Sequence, residues 1–127
     1  MLRGGEIMKR DLELLRSILL AVESSDKNKI SIKSLNLPYN EKTISYHIEL
    51  LLDVGYLEAT EFPVLRQTYS DFIIKRITSF GHDYLDNVRD DNVWNKTKSK
   101  LGDSIKSASL DVITAVSSEV IKASLGI

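Results

Sequence analysis

The segment TISYHIELLLDVGYLEA, Thr43 to Ala59, constrains this chain more than any other part of it. Advanced by about 100° per residue, Ile44, His47, Ile48, Leu51 and Leu52 share one side, while Lys42, Ser45, Tyr46, Glu49 and Asp53 share the other. That pattern is an amphipathic helix, with Asn40 as its N-cap. Gly55 supplies the left-handed residue that stops it. GYLEATEF and DFIIKRITS then read as two strands joined by the turn-rich PVLRQTYS, a hairpin that must lie close to the helix.

Around this pair the pattern stays simple. Leu12, Leu15, Ile18, Leu19 and Val22 predict a first helix over Lys9 to Ser24, ended by the polar SSDKNK. KISIKSLNL alternates Ile30 and Ile32 before Leu35 and Leu37, which predicts a short strand or extended arm, and Pro38 keeps Leu37 extended. Thr78 or Ser79 caps a helix carrying Phe80, Tyr84, Leu85 and Val88, with RDDN marking a break before a last turn or two containing Trp94 and Leu101. A final helix is expected to restart at Gly102-Asp103-Ser104. The chain is thus an α+β, mainly α protein: helix, short strand, helix, hairpin, helix, with an added C-terminal helix over 102–127. In this order the hairpin is the wing of a winged helix over residues 8–101.

With 127 residues the chain is long enough for one modest core and one appended element. No apolar run approaches the roughly 18 residues that cross a bilayer, so no membrane association is expected. Cysteine is absent, which excludes thiolate metal sites and thiol catalysis and fits a reducing cytoplasm. The 17 basic and 18 acidic side chains leave a net charge of −1. Nucleic-acid binders ordinarily carry a basic surplus, so any basic patch here must be local. Arg3 to Glu6, Arg-Gly-Gly-Glu, is what a purine-rich ribosome-binding sequence spells when translated. Met8 is therefore the expected start, with residues 1–7 a disordered extension.

TISYHIELLLDVGYLEA resembles the recognition helix and first wing strand of arsenic-repressor-like winged-helix regulators. More closely, MKRDLELLRSILLAVE, ISYHIELLLDVGYLEA and ITSFGHDYLDNVRDDNVWNKTK resemble an uncharacterised bacterial and prophage-associated family, domain of unknown function 2513. The second resemblance spans Met8 to about Lys98 and implies a fold and a phage or mobile-element setting, with no activity attached. The regulator pattern also needs a helix ahead of the recognition helix, crossing the DNA backbone. Here that slot holds the strand-like ISIKSLNLP.

In a major groove the helix would present Asn40, Lys42, Thr43, Ser45 and Tyr46 to base edges, with Glu49 and Asp53 farther along the same face repelling phosphates. Arg66 at the wing tip and Lys75 and Arg76 on its second strand would meet the backbone or a minor groove. The same surface, read without DNA, is a solvated helix face or one turned to a protein. His47 is expected to be a partly buried packing residue with both ring nitrogens satisfied by backbone groups.

Other chemistry is sparse. His82, Asp86 and Asp90 stack at four-residue intervals, but acidic residues near a helix start are favoured by the helix dipole alone, and no metal or other cofactor is expected. No phosphate loop or nucleophile-elbow pattern occurs, so the chain is not expected to be an enzyme. Trp94 and Tyr84 are expected in the core. The C-terminal segment carries one apolar stripe (Ile105, Ala108, Val112, Ile113, Val116, Val120, Ala123) and a second, nearly opposite one of Leu110, Ile121 and Leu125. Helices apolar on two sides are usually covered on two sides. The second stripe is the expected interface of a homodimer.

The expected function is that of a small cytoplasmic winged-helix protein of a prophage or mobile element that binds double-stranded DNA or regulates transcription; the alternative is a winged-helix interaction module that binds a host or phage protein without DNA. Lys42, Arg66, Lys75 and Arg76 converging on one face would favour the first. Acidic residues interleaved among them would favour the second.

Overall fold

The computed structural model describes residues 8–127; the expected extension over residues 1–7 lies outside them. Its elements run α1 (Leu12–Ser24), α2 (Ile32–Leu35), α3 (Glu41–Asp53), β1 (Leu57–Pro63), β2 (Ser70–Ile77), α4 (Ser79–Val88), α5 (Asp91–Leu101), a 3-10 turn over Gly102–Lys106, and α6 (Leu110–Leu125). The chain is α+β and mainly helical, in a winged-helix-like order. It forms two compact units, one ending at His82 and one running from Asp83 to Ile127.

In the first unit, local chemistry sets the helix starts. The Asp11 carboxylate accepts the N–H groups of Glu13 and Leu14, at 2.9 and 3.2 Å. Asn40 Oδ1 accepts the Thr43 N–H at 2.8 Å. Leu14, Leu15, Ile18 and Leu19 of α1 and Ile44, Ile48 and Leu51 of α3 are buried, as are Leu57 on β1 and Phe72, Ile74 and Ile77 on β2. Helices α1 and α3 pack on each other and on the hairpin. Fully burying an aliphatic side chain contributes about 1.5–3 kcal/mol, so this cluster dominates the unit's stability.

The segment expected to be a strand divides. Ile30 pairs with Ile74 through two backbone hydrogen bonds, 2.8 and 3.4 Å, and adds a single bridge beside β2. Directly after it, Ser31 and Ser34 form a capping box that starts the one-turn α2, and Asn36 ends it at φ 52°. The alternation of Ile30 and Ile32 is a strand signal only over that bridge; Ile32 and Leu35 are buried at the three-residue spacing of a helix. A helix therefore does precede α3, of one turn.

The hairpin is antiparallel, from Leu57 opposite Ile77 to Pro63 opposite Ser70, with a bulge at Glu58/Ala59. Its loop closes with the Gln67 N–H donating to the Val64 carbonyl at 3.2 Å, and Arg66 inside that turn has φ 68°.

In the second unit Asp90 caps a full helix rather than a turn or two, its carboxylate accepting the Val93 N–H at 3.0 Å. Gly102, at φ 52°, ends that helix, and the last helix begins only at Leu110, capped by Ser109. Trp94 is buried, and α6 packs on α5. At their contact the buried hydroxyls of Thr97 and Ser117 lie 3.1 Å apart.

Candidate functional site

The surface that the sequence nominates is α3 with the hairpin beside it, and the chain covers part of it. Ser45, expected to face outward, is fully buried. Its Oγ donates to the Ser70 carbonyl at 2.7 Å, closing the start of β2 onto the helix. Four residues earlier, Glu41 Oε1 accepts from the Tyr69 hydroxyl at 3.5 Å. Burial first, and then the Glu41 carboxylate, push the Tyr69 phenol above its ordinary pKa. The Glu41–Ser45–Glu49 side of α3 thus carries the mouth of the wing. Ser45 leaves the set of groups able to meet a base or a partner. Ser45→Ala is expected to cost about 1 kcal/mol in urea unfolding, because the Ser70 carbonyl loses its partner.

The other nominated residues scatter. Asn40 is exposed, but its side-chain oxygen is engaged in capping α3. Lys42, Thr43 and Tyr46 are half-buried, and the Tyr46 ring meets the His47 ring edge-on at 5.6 Å between centroids. Arg66 is exposed at the wing tip. Lys75 and Arg76 are exposed near the base of the hairpin, where Arg76 pairs with Glu58 at 3.0 Å. Between Ser70 and Arg76, at about 3.3 Å per residue, lies roughly 20 Å of strand. Arg66 at the tip therefore stands apart from Lys75 and Arg76 at the base, with Glu58 and Glu61 on the strand between.

Tyr69 and Ser70, at the wing's mouth, border a groove of about 400 Å³ whose other walls include Glu49 of α3, Glu61, Pro63 and Val64. Glu61 also accepts the Ser70 hydroxyl at 2.5 Å. A carboxylate from α3 and one from β1 thus line the same groove as Pro63 and Val64, a lining suited to a cation on an aliphatic stem. Sequence reasoning missed this site. Glu61 reads like any exposed strand residue, and only the packing of the hairpin beside α3 places it in one groove with Glu49.

His47 is 1% exposed, and backbone groups engage both ring nitrogens as expected. Nε2 accepts the Asp11 N–H at 2.8 Å, and Nδ1 donates to the Thr43 carbonyl at 2.8 Å. The ring is thereby fixed as the neutral Nδ1–H tautomer joining α3 to the first turn of α1. Burial holds its pKa below the usual value, opposed by the Thr43 hydrogen bond and by Asp11, while Arg10 lowers it further.

His82, Asp86 and Asp90 are engaged separately. His82 lies 4.0 Å from Glu23, Asp86 pairs with Arg89 at 2.9 Å, and Asp90 caps α5. Among the described residues no group of three or more His, Asp or Glu side chains gathers where it could hold a metal ion. No helix among them is long and apolar enough to cross a membrane. On α6, Leu110 is a correction: it joins Ile113, Ser117 and Val120 on the helix's buried side. Ile121 is half-buried, and Leu125 is exposed. The first stripe divides too, since Val112 and Ala123 are exposed.

A model of the family described as "Hypothetical protein (DUF2513)" matches residues 9–109. The chain belongs to the DUF2513 family. An "Uncharacterized protein" of Haemophilus influenzae is 35% identical to this DUF2513 chain over 115 residues, covering 90% of the chain and 96% of the relative. No solved structure matches. The family match includes all of α3 and the hairpin, and it ends before α6 begins.

Proposed function

We propose that this chain is a winged-helix-like protein-interaction module, which receives a cationic segment of a host or phage protein on the α3–hairpin surface. The supporting observation is the groove that Glu49 and Glu61 line together with Pro63 and Val64. A duplex laid along α3 would bring phosphates against Glu49 and Asp53, and at the base of the hairpin Arg76 is already paired with Glu58. A lysine or arginine side chain would instead place its stem on the apolar rim and its charge at the carboxylates.

Double-stranded DNA binding is the second reading. It is favoured by the one-turn α2 ahead of α3 and by Arg66, exposed at the wing tip. Fluorescence anisotropy across salt concentrations separates the two, with a labelled eight-residue arginine-rich peptide and a random-sequence 20-base-pair duplex as probes. The peptide is expected to bind, and Glu49→Gln with Glu61→Gln to weaken it about 10-fold, the effect of losing roughly 1.4 kcal/mol. Duplex binding that falls steeply with salt, with no peptide binding, would replace this reading by the second.

A further inference from the structure

The wing tip combines two features that cost a monomer something. Leu65 is 93% exposed, more than any other large apolar side chain among the described residues. Beside it, Arg66 holds φ 68° within the turn closed by Gln67 and Val64, a conformation that favours glycine. An L-residue in that region is strained by its Cβ. Among the described residues the Arg66 guanidinium meets no carboxylate, whereas Arg76 and Arg89 each have one. A fully exposed leucine and an unneutralised arginine, adjacent on a strained turn, make a plug with an apolar half and a cationic half.

The complementary socket is on the same hairpin. The groove beside α3 offers Pro63 and Val64 as an apolar rim and Glu49 and Glu61 as charges. A patch that carries both a plug and its socket is self-complementary under a two-fold rotation. We propose that two copies of this chain pair through their wings, each seating Leu65 on Pro63 and Val64 of the other and Arg66 between the other's Glu49 and Glu61. A closed C2 pair uses both plugs and both sockets and leaves no free end to grow a filament. The pairing uses the groove of the function proposed above but not its partner. A monomeric chain that binds the cationic peptide would overturn the pairing alone, and a dimer that excess peptide neither enters nor dissociates, with a monomeric Leu65→Asp chain that binds no peptide, would overturn the function alone.

Sedimentation velocity of the full chain over a range of concentrations tests the pairing. The wild type is expected to sediment as a concentration-dependent dimer. Leu65→Asp is expected to leave a monomer, and Arg66→Glu to weaken the dimer at least 10-fold. Both positions are exposed, and an unchanged circular dichroism spectrum shows that the fold is kept. Glu61→Arg combined with Arg66→Glu restores opposite charges across the interface and is expected to recover at least part of the affinity. A wild type monomeric throughout, a dimer indifferent to both single changes, or a charge swap that recovers nothing would each overturn the proposal. Indifference would direct attention to the exposed side of α6.

Discussion

Gly81→Ala is expected to destabilise the first unit by about 3 kcal/mol, the upper end of what overpacking ordinarily costs. A Cβ at this position would stand 2.3 Å from the Tyr56 carbonyl oxygen and 2.6 Å from Ile77 Cγ2. A flexible side chain could swing away, but the Tyr56 carbonyl is backbone and already accepts the Thr78 N–H at 3.0 Å. The Thr78 hydroxyl donates to the Gly55 carbonyl and accepts the Gly81 N–H, so three segments meet at this joint. Any displacement therefore strains the end of α3, the entry to β1 and the start of α4 together. Gly55→Ala is the contrasting case. No atom lies within 4 Å of its added Cβ, and only φ +73° opposes it, a cost nearer 1 kcal/mol. Urea unfolding followed by circular dichroism checks both. A Gly81→Ala loss no larger than that of Gly55→Ala would mean that the joint relaxes freely.

The second large effect is expected at His47. Its neutral ring accepts the Asp11 N–H. Protonation would turn that acceptor into a donor facing a donor, in a site with almost no water. Burial lowers the folded-state pKa below the usual 6.5. Between the folded and unfolded values the unfolded chain binds more protons, so stability rises with pH in that window. The His47 contribution is therefore complete above about pH 6.5 and is lost as pH falls from there through the depressed value, at up to about 1.4 kcal/mol per pH unit. His47→Phe fills the space without the ring nitrogens. It is expected to cost about 2 kcal/mol at pH 7.5, by leaving the Asp11 N–H unpaired, and to flatten the acid limb. Unfolding midpoints at half-unit pH steps test this, and an acid limb equally steep in His47→Phe would place the titrating group elsewhere.

Both effects arise where residues distant in sequence meet, and the same divide separates what was legible in the chain from what was not. Helices α1, α3 and α4 and the hairpin are readable because their signals are local: apolar spacing, a capping Asn or Thr, a left-handed glycine. Helix α2 was misread although its signals are local too. Ser31 and Ser34 form the capping box and Asn36 the left-handed end, but the alternation of Ile30 and Ile32 outweighed them. Phe80, grouped with the apolar side of α4, is 70% exposed, while Tyr84, Leu85 and Val88 are buried: the stripe's first residue lies at the helix start, where spacing alone does not say whether anything covers it.

From the chain alone came α1, α3, α4 and the hairpin in their order, the caps at Asn40 and Thr78, the turn between the strands, and a histidine satisfied by backbone. Tertiary structure decided which side of α3 stays open. A serine hydroxyl is indifferent between water and a carbonyl until β2 arrives to offer one, so the burial of Ser45 has no sequence signature. Leu110 is equivalent: an apolar stripe states that something must cover it and is silent on whether a neighbouring helix or another molecule does. The approach of Gly81 to Tyr56 and the sharing of one groove by Glu49 and Glu61 are likewise products of strand pairing and helix packing together. Periodicity and capping act over a few bonds and are written in neighbouring letters; contacts across the fold depend on where whole elements come to rest.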